Sequence, residues 1–255
     1  VGKVLAIVNQ KGGVGKTTTA VNLAAALAAE GQRVLALDTD PQGHLTLSLG
    51  VRPGPEQVTI YDLLMDETRA PEEAVVPTQI PNLWLIPATS DLAGAEIQLC
   101  EVGERHARLA RVTRALRRRY DFLLIDCPPS LSLLTLNALV AAEGLIVPLE
   151  CSYLATQGLR ELLDTYERVR QGLNKRLTLA GILITMFDPR TLHSREVVER
   201  VREGFGEVVF DTVIPNSVRF REAPVAGQSL LEYAPRHPGA AAYRRLAQEV
   251  MRRES

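Results

Sequence analysis

Lysine is scarce in this sequence: four residues against 25 arginines in a chain of 255. Cysteine is scarcer still, with Cys100, Cys127 and Cys151 far apart in the sequence. That spacing excludes a C-x-x-C metal pair and an even disulfide framework, and it reads as a protein of a reducing, cytoplasmic compartment. No run approaches the roughly 20 apolar residues of a membrane-spanning helix. The opening "KVLAIVNQKGG" is too short and too interrupted to be a secretory signal. A formal net charge of -1 excludes a chain that is basic overall, so any contact with nucleic acid has to come from a local patch. There is no internal repeat and no low-complexity linker; "VRPGPEQ" at 51–57 reads as a surface loop.

The sequence does hold a regular alternation. Short apolar runs end in polar residues at 4–9, 33–40, 83–89, 121–128, 144–150, 179–188 and 208–215. Their lack of in-out alternation suits strands buried on both faces of a mostly parallel sheet. Helical patterns lie between them at 16–31, 96–120, 131–144, 156–173 and 191–206, with a last helix at the C-terminal end. Length permits one large α/β domain or two small ones. Strand-helix alternation throughout predicts a single doubly wound α/β domain over 1–255.

Two of the four lysines sit in one stretch, "NQKGGVGKTTTAVNL" at 9–23, between the first strand and the first helix. A loop at a helix N-terminus aims backbone N–H groups and the positive end of the helix dipole at one spot. Gly12, Gly13 and Gly15 let that backbone close around an anion, Lys16 reaches the β- and γ-phosphates, and Thr17 is placed to ligate Mg²⁺. The general pattern G-x-x-x-x-G-K-[ST] is broken at Gln10 and followed by an additional lysine, Lys11. Asp126 ends "LLID", and Asp38 and Asp40 end "LALDTD". At the carboxyl ends of parallel strands such carboxylates converge on the phosphates, although acidic residues also end strands as plain turn formers.

"KGGVGKTT" is the deviant Walker A signature, and with "LDTDPQG" and "FLLIDCPPSL" the chain resembles the ParA/MinD family of ATPases. "GILITMFDPRT" and "VIPNSVRFREAPVAGQS" are similar to its ParA, or Soj-like, branch of DNA-partition ATPases. The resemblance spans essentially the whole chain and implies a P-loop NTPase fold, ATP and Mg²⁺ as ligands, and a nucleotide-binding loop from Lys11 to Thr18 that includes Val14. It implies that Lys11 reaches the nucleotide of a second subunit in an ATP-bound homodimer, a γ-phosphate buried between subunits needing positive charge from both sides. Asp40 then orients the attacking water, Asp126 holds the metal through water, Asp38 supports it, and 40–46 and 126–131 are switch loops.

Further implications are non-specific double-stranded DNA as a ligand of the closed dimer, a ParB-type centromere-binding protein as the partner that stimulates slow hydrolysis, and a nucleoid-associated cytoplasmic location. DNA contacts fall on Arg190, Arg219 and Arg221, with Arg195 and Arg236 as weaker candidates. The chain departs from the family at three places: His44 replaces an asparagine, Pro215-Asn216-Ser217 stands where Pro-Arg-Asn is usual, and Gln228 replaces a lysine. Base contact is therefore expected from the backbone near Pro215. A membrane-cycling MinD-like ATPase, or a homologue that positions other cargo, is the rival; the former needs an amphipathic C-terminal helix, and "AYRRLAQEVMRRES" reads better as packed on the sheet. An iron-sulfur carrier needs paired cysteines that Cys127 and Cys151 do not form. Relatives that activate carboxylates or phosphorylate small molecules use the same loop, and no further substrate motif accompanies it. No N-terminal helix-turn-helix precedes the first strand, so autoregulation by specific DNA binding is not expected.

Overall fold

The computed structural model describes residues 1–152 and 155–254, and the side chains of all of these except 155–157. The strands are β1 (Lys3–Ile7), β2 (Val34–Asp38), β3 (Val76–Pro77), β4 (Leu83–Ile86), β5 (Phe122–Asp126), β6 (Gly144–Glu150) and β7 (Thr178–Thr185). They form one sheet in the order β3-β4-β2-β5-β1-β6-β7, parallel except for the short edge strand β3. Along β1, Val4 and Ala6 enter one hydrophobic core while Leu5 and Ile7 enter the other, and all four are buried. That is why the run is apolar at every position: side chains alternate between faces, and each face has helices over it.

The helices are α1 (Lys16–Ala29), α2 (His44–Ser48), α3 (Ile60–Met65), α4 (Leu92–Leu99), α5 (Arg108–Leu116), α6 (Leu133–Ala141), α7 (Ala155–Gly172), α8 (Leu192–Phe205), α9 (Arg219–Val225), α10 (Leu230–Tyr233) and α11 (Pro238–Arg253). Residues of α1, α2 and α9–α11 share the core that holds Leu5 and Ile7, and those of α3–α8 share the core that holds Val4 and Ala6. The doubly wound expectation holds, and α1 ends as expected at Gly31, whose φ of 82° only glycine adopts freely.

Two expected elements differ. The helix expected over 96–120 is two helices, α4 and α5, broken where Glu104 takes a φ of 51°. Asn137 of α6 stabilises the break: its amide nitrogen donates to the Arg105 carbonyl at 2.7 Å and its oxygen accepts the Leu109 N–H at 3.2 Å, filling an open position at the start of α5. The strand expected over 208–215 is not a strand; it runs beside β7 with isolated parallel bridges at Ile182–Val209 and Phe187–Pro215. Its ladder is interrupted because Asp211 N and Thr212 N donate to the Glu249 carboxylate of α11, at 2.8 and 3.2 Å. Helix periodicity and strand runs do not reveal a competing side-chain acceptor 37 residues away.

Glu249 is buried and also pairs with Arg253 at 3.0 Å. Glu249→Ala leaves two backbone donors without an acceptor, so urea denaturation should show a loss of about 2–4 kcal/mol. A loss below about 0.5 kcal/mol would mean that the 208–215 segment is held by its packing alone.

Candidate functional site

The carboxyl end of β1 lies between β5 and β6, and the chain leaves it into the loop 8–15. Gly15, with φ 89°, caps α1, and Gly13 has φ 78°. A Cβ at Gly12 or Gly13 would meet nothing within 4 Å, so the loop leaves open space over its backbone. Side chains pin it at both sides: Thr185 Oγ1, at the end of β7, donates to the Val14 carbonyl at 2.9 Å, and the Asn9 amide donates to Pro148 O at 2.7 Å. Asn9 Oδ1 in turn accepts the Lys11 N–H at 2.9 Å.

The two lysines point in different directions. Lys16 is buried, and its ammonium donates to the Lys11 carbonyl at 3.1 Å, inside the curl of the loop. Burial pulls its pKa below the ordinary lysine value, while Asp126, Cys127 and Asp40 pull the other way. The Lys11 side chain is half exposed and pairs with Glu150, the last residue of β6.

Asp38 and Asp126 are register partners on adjacent strands, both fully buried. Asp38 spends its oxygens on its own loop: Oδ2 accepts Thr46 N and Oγ1 at 2.8 and 2.7 Å, and Oδ1 accepts Asp40 N at 3.2 Å. Burial raises its pKa to about 6 in spite of these donors. Asp38 thereby supports the loop that carries Asp40. Asp40 is buried, and its Oδ1 accepts Gln42 N at 2.9 Å.

Asp126 is different, because no hydrogen bond of good geometry reaches either of its buried oxygens and the Thr17 hydroxyl is the one donor that approaches them. Burial first, and then the neighbouring Asp38, push its pKa well above the carboxylate range; Thr17 and Lys16 oppose them. A buried carboxylate without such a bond is costly, and a hydrated divalent cation beside Thr17 would supply what it lacks. Among the described residues no group of three acidic, His or Cys side chains could hold a metal alone.

A cleft of about 710 Å³ extends from Gly12, Lys16 and Thr17 past Phe220 and Tyr243 to Pro215, Asn216 and Ser217. Its size and its mix of apolar wall and convergent polar groups suit a nucleotide. Met186 lines it with φ 57°, a strained conformation for that side chain at the lip of a site. Sequence reasoning did not single out Asn9, Glu150, Met186, Phe220 or Tyr243. Glu150 ends an apolar strand just as Asp126 does, which was the available signal.

The arginine candidates separate here. Phe187 N donates to Ile214 O and Asn216 N to Phe187 O, at 3.0 and 2.9 Å, which joins the loop of Arg190 to the segment of Arg219. Ser217 Oγ lies 3.2 Å from His237 Nε2 and draws in the turn with Arg236. Arg190 is chelated by Asp188 at 2.8 and 3.0 Å, which holds that carboxyl down to about 2, and Arg219 pairs with Glu222 at 2.7 Å. Arg195 Nε donates to Pro189 O at 3.1 Å, on the same loop. Arg221 departs from the set, since it lines the nucleotide cleft. Among the described residues no helix is long and apolar enough to cross a membrane, and the apolar face of α11, with Tyr243, Leu246 and Val250, is buried in the core it shares with α1.

Residues 2–179 match a family model described as an AAA domain. The chain is 48% identical over 254 residues to the chromosome partitioning protein ParA of Caulobacter vibrioides, covering 99% of this chain and 95% of that one. It is 47% identical over 249 residues to the sporulation initiation inhibitor protein Soj of Bacillus subtilis, covering 98% of each. It is similar in structure to a cobyrinic acid a,c-diamide synthase from Mycobacterium smegmatis with bound ADP and magnesium, at TM-score 0.86 and 40% identity over 99% of this chain and 95% of that one.

Asp126→Asn removes the buried charge. The nucleotide-free chain should gain about 1–3 kcal/mol in urea denaturation and lose the Mg²⁺-dependent part of its nucleotide affinity. A variant less stable than the parent would mean that the carboxylate is satisfied in the free chain.

Proposed function

The chain belongs to the ParA/MinD family of deviant Walker A ATPases, on its ParA and Soj side, and from that membership we propose an ATPase that dimerises on ATP and partitions DNA. The observation that carries this reading is the divergence of two lysines on one loop, Lys16 buried under it and Lys11 half exposed outside it. Within one subunit only Lys16 lines the cleft.

Lys16, Thr17 and the backbone of 11–18 hold the triphosphate of ATP, with the base toward Pro215, Asn216 and Ser217. A bound Mg²⁺ would supply neutralisation of phosphate charge at this site. Thr17 and Asp126, the latter through water, are the residues that would hold it, and Asp40 orients the water that attacks the γ-phosphate. Lys11 extends to the nucleotide of the facing subunit, and burial of the γ-phosphate between subunits makes its charge worth more than it would be in water. Loops 40–46 and 126–131 are coupled, since Thr39 N and Oγ1 both donate to the Asp126 carbonyl at 3.0 and 2.6 Å. Hydrolysis at one thereby alters the other, and the dimer opens.

Arg190, Arg195, Arg219 and Arg236 lie on segments joined by hydrogen bonds and are assigned to non-specific double-stranded DNA, while Arg221 also lines the nucleotide cleft. A ParB-type partner stimulates hydrolysis, and the working location is the nucleoid in the cytoplasm. The likeness to a diamide synthase brings carboxylate activation as a second reading. The relatives named for partition, at 47–48% identity over nearly all of both chains, favour the first.

Lys11→Ala should bind nucleotide as a monomer and form no ATP-dependent dimer in sedimentation velocity; dimers that survive would remove the bridging role. Asp40→Ala should retain the ATP dimer while turnover falls at least tenfold. Arg190→Glu should weaken binding to random-sequence duplex at least tenfold with dimerisation unchanged, and should reduce the salt slope by about 1. Unaltered affinity would take Arg190 out of DNA binding.

A further inference from the structure

Lys11 cannot pair with a carboxylate of its own subunit and with a phosphate of the next at once. Its ammonium is paired with Glu150, and the adjacent Asn9 amide is anchored to Pro148 O, so two contacts tie the outer part of the loop to the end of β6. Glu150 has no other side-chain partner among the described residues. The side chains are 51% and 31% exposed, open enough for a competing anion to separate them.

We propose that Glu150 is a positioning residue that holds Lys11 on its own subunit and sets how much ATP the dimer needs. The proposal rests on the dimerising reading above. The triphosphate of a facing subunit brings more negative charge than one carboxylate and takes the lysine; a diphosphate brings less and leaves it on Glu150. Each closure separates two such pairs, one per subunit. An exposed ion pair shifts an equilibrium by about two- to fivefold, so the pair of them shifts dimer association by about four- to twenty-fivefold.

The test is Glu150→Gln, with Glu150→Ala as a second variant, titrated with a non-hydrolysable ATP analogue and Mg²⁺ and followed by sedimentation velocity. Both should dimerise at severalfold lower nucleotide, with the affinity of the monomer for a fluorescent ADP unchanged. The double variant Lys11→Ala, Glu150→Gln should stay monomeric. Amine-reactive labelling of the nucleotide-free chain, read by mass spectrometry against Lys175, should modify Lys11 faster in Glu150→Gln. An equal or higher nucleotide requirement, or dimers from the double variant, would overturn the proposal. If the parent chain never dimerises, the reading above falls and labelling alone decides: faster modification supports the hold by Glu150, and an unchanged rate overturns it.

Discussion

Asp126 places a carboxylate at the end of a central strand, out of reach of water and without a well-formed hydrogen bond, directly beside a second buried carboxylate. In isolation that arrangement is unfavourable, and the rest of the site is arranged in response to it. Asp38 is neutralised by donors from its own loop, Lys16 and Thr17 approach from the phosphate loop, and the remaining deficit matches a hydrated cation. The sheet order makes the juxtaposition unavoidable, because β2, β5 and β1 are neighbours and their carboxyl ends point the same way.

The same geometry separates two tasks within one loop. Gly13 and Gly15 turn the backbone so that Lys16 enters the cleft, and Val14 is locked to β7 by Thr185. Lys11, five residues earlier, is left on the outer side, where it meets Glu150. A buried cation and an exposed one differ in what they can do: the first is committed to a ligand within its own subunit, and the second can exchange partners. The quaternary reading depends on this difference in exposure.

The outer arginines obey a related rule. Arg190 and Arg219 carry their own carboxylates, so their segments are less basic than a count of arginines implies. On the proposed DNA-binding reading, phosphate neutralisation by one subunit is then weak and gains from presenting several such arginines together. A formal charge of -1 for the whole chain is consistent with that economy.

Local pattern made most of the fold legible. Continuous apolar runs marked the strands because both faces of the sheet are covered, and the glycine-lysine-threonine loop marked the site because few other backbones close on a phosphate. Where tertiary contacts competed with local preference, the reading failed: Glu249 takes the donors that would have continued a strand at 211–212, and Asn137 of α6 stabilises a break in an otherwise helical stretch. Among site residues, the role of each aspartate was open in the sequence, since Asp38 and Asp126 end strands and Asp40 follows two residues later. Folding distinguished them by what each oxygen meets: Asp38 meets its own loop, and Asp126 faces Thr17 and Lys16 of the phosphate loop. The amino-acid order determined by itself that a phosphate loop with two lysines exists; only the packing of β6 beside β1 decided that Glu150 would face the outer one, because strands adjacent in space are 139 residues apart in the chain.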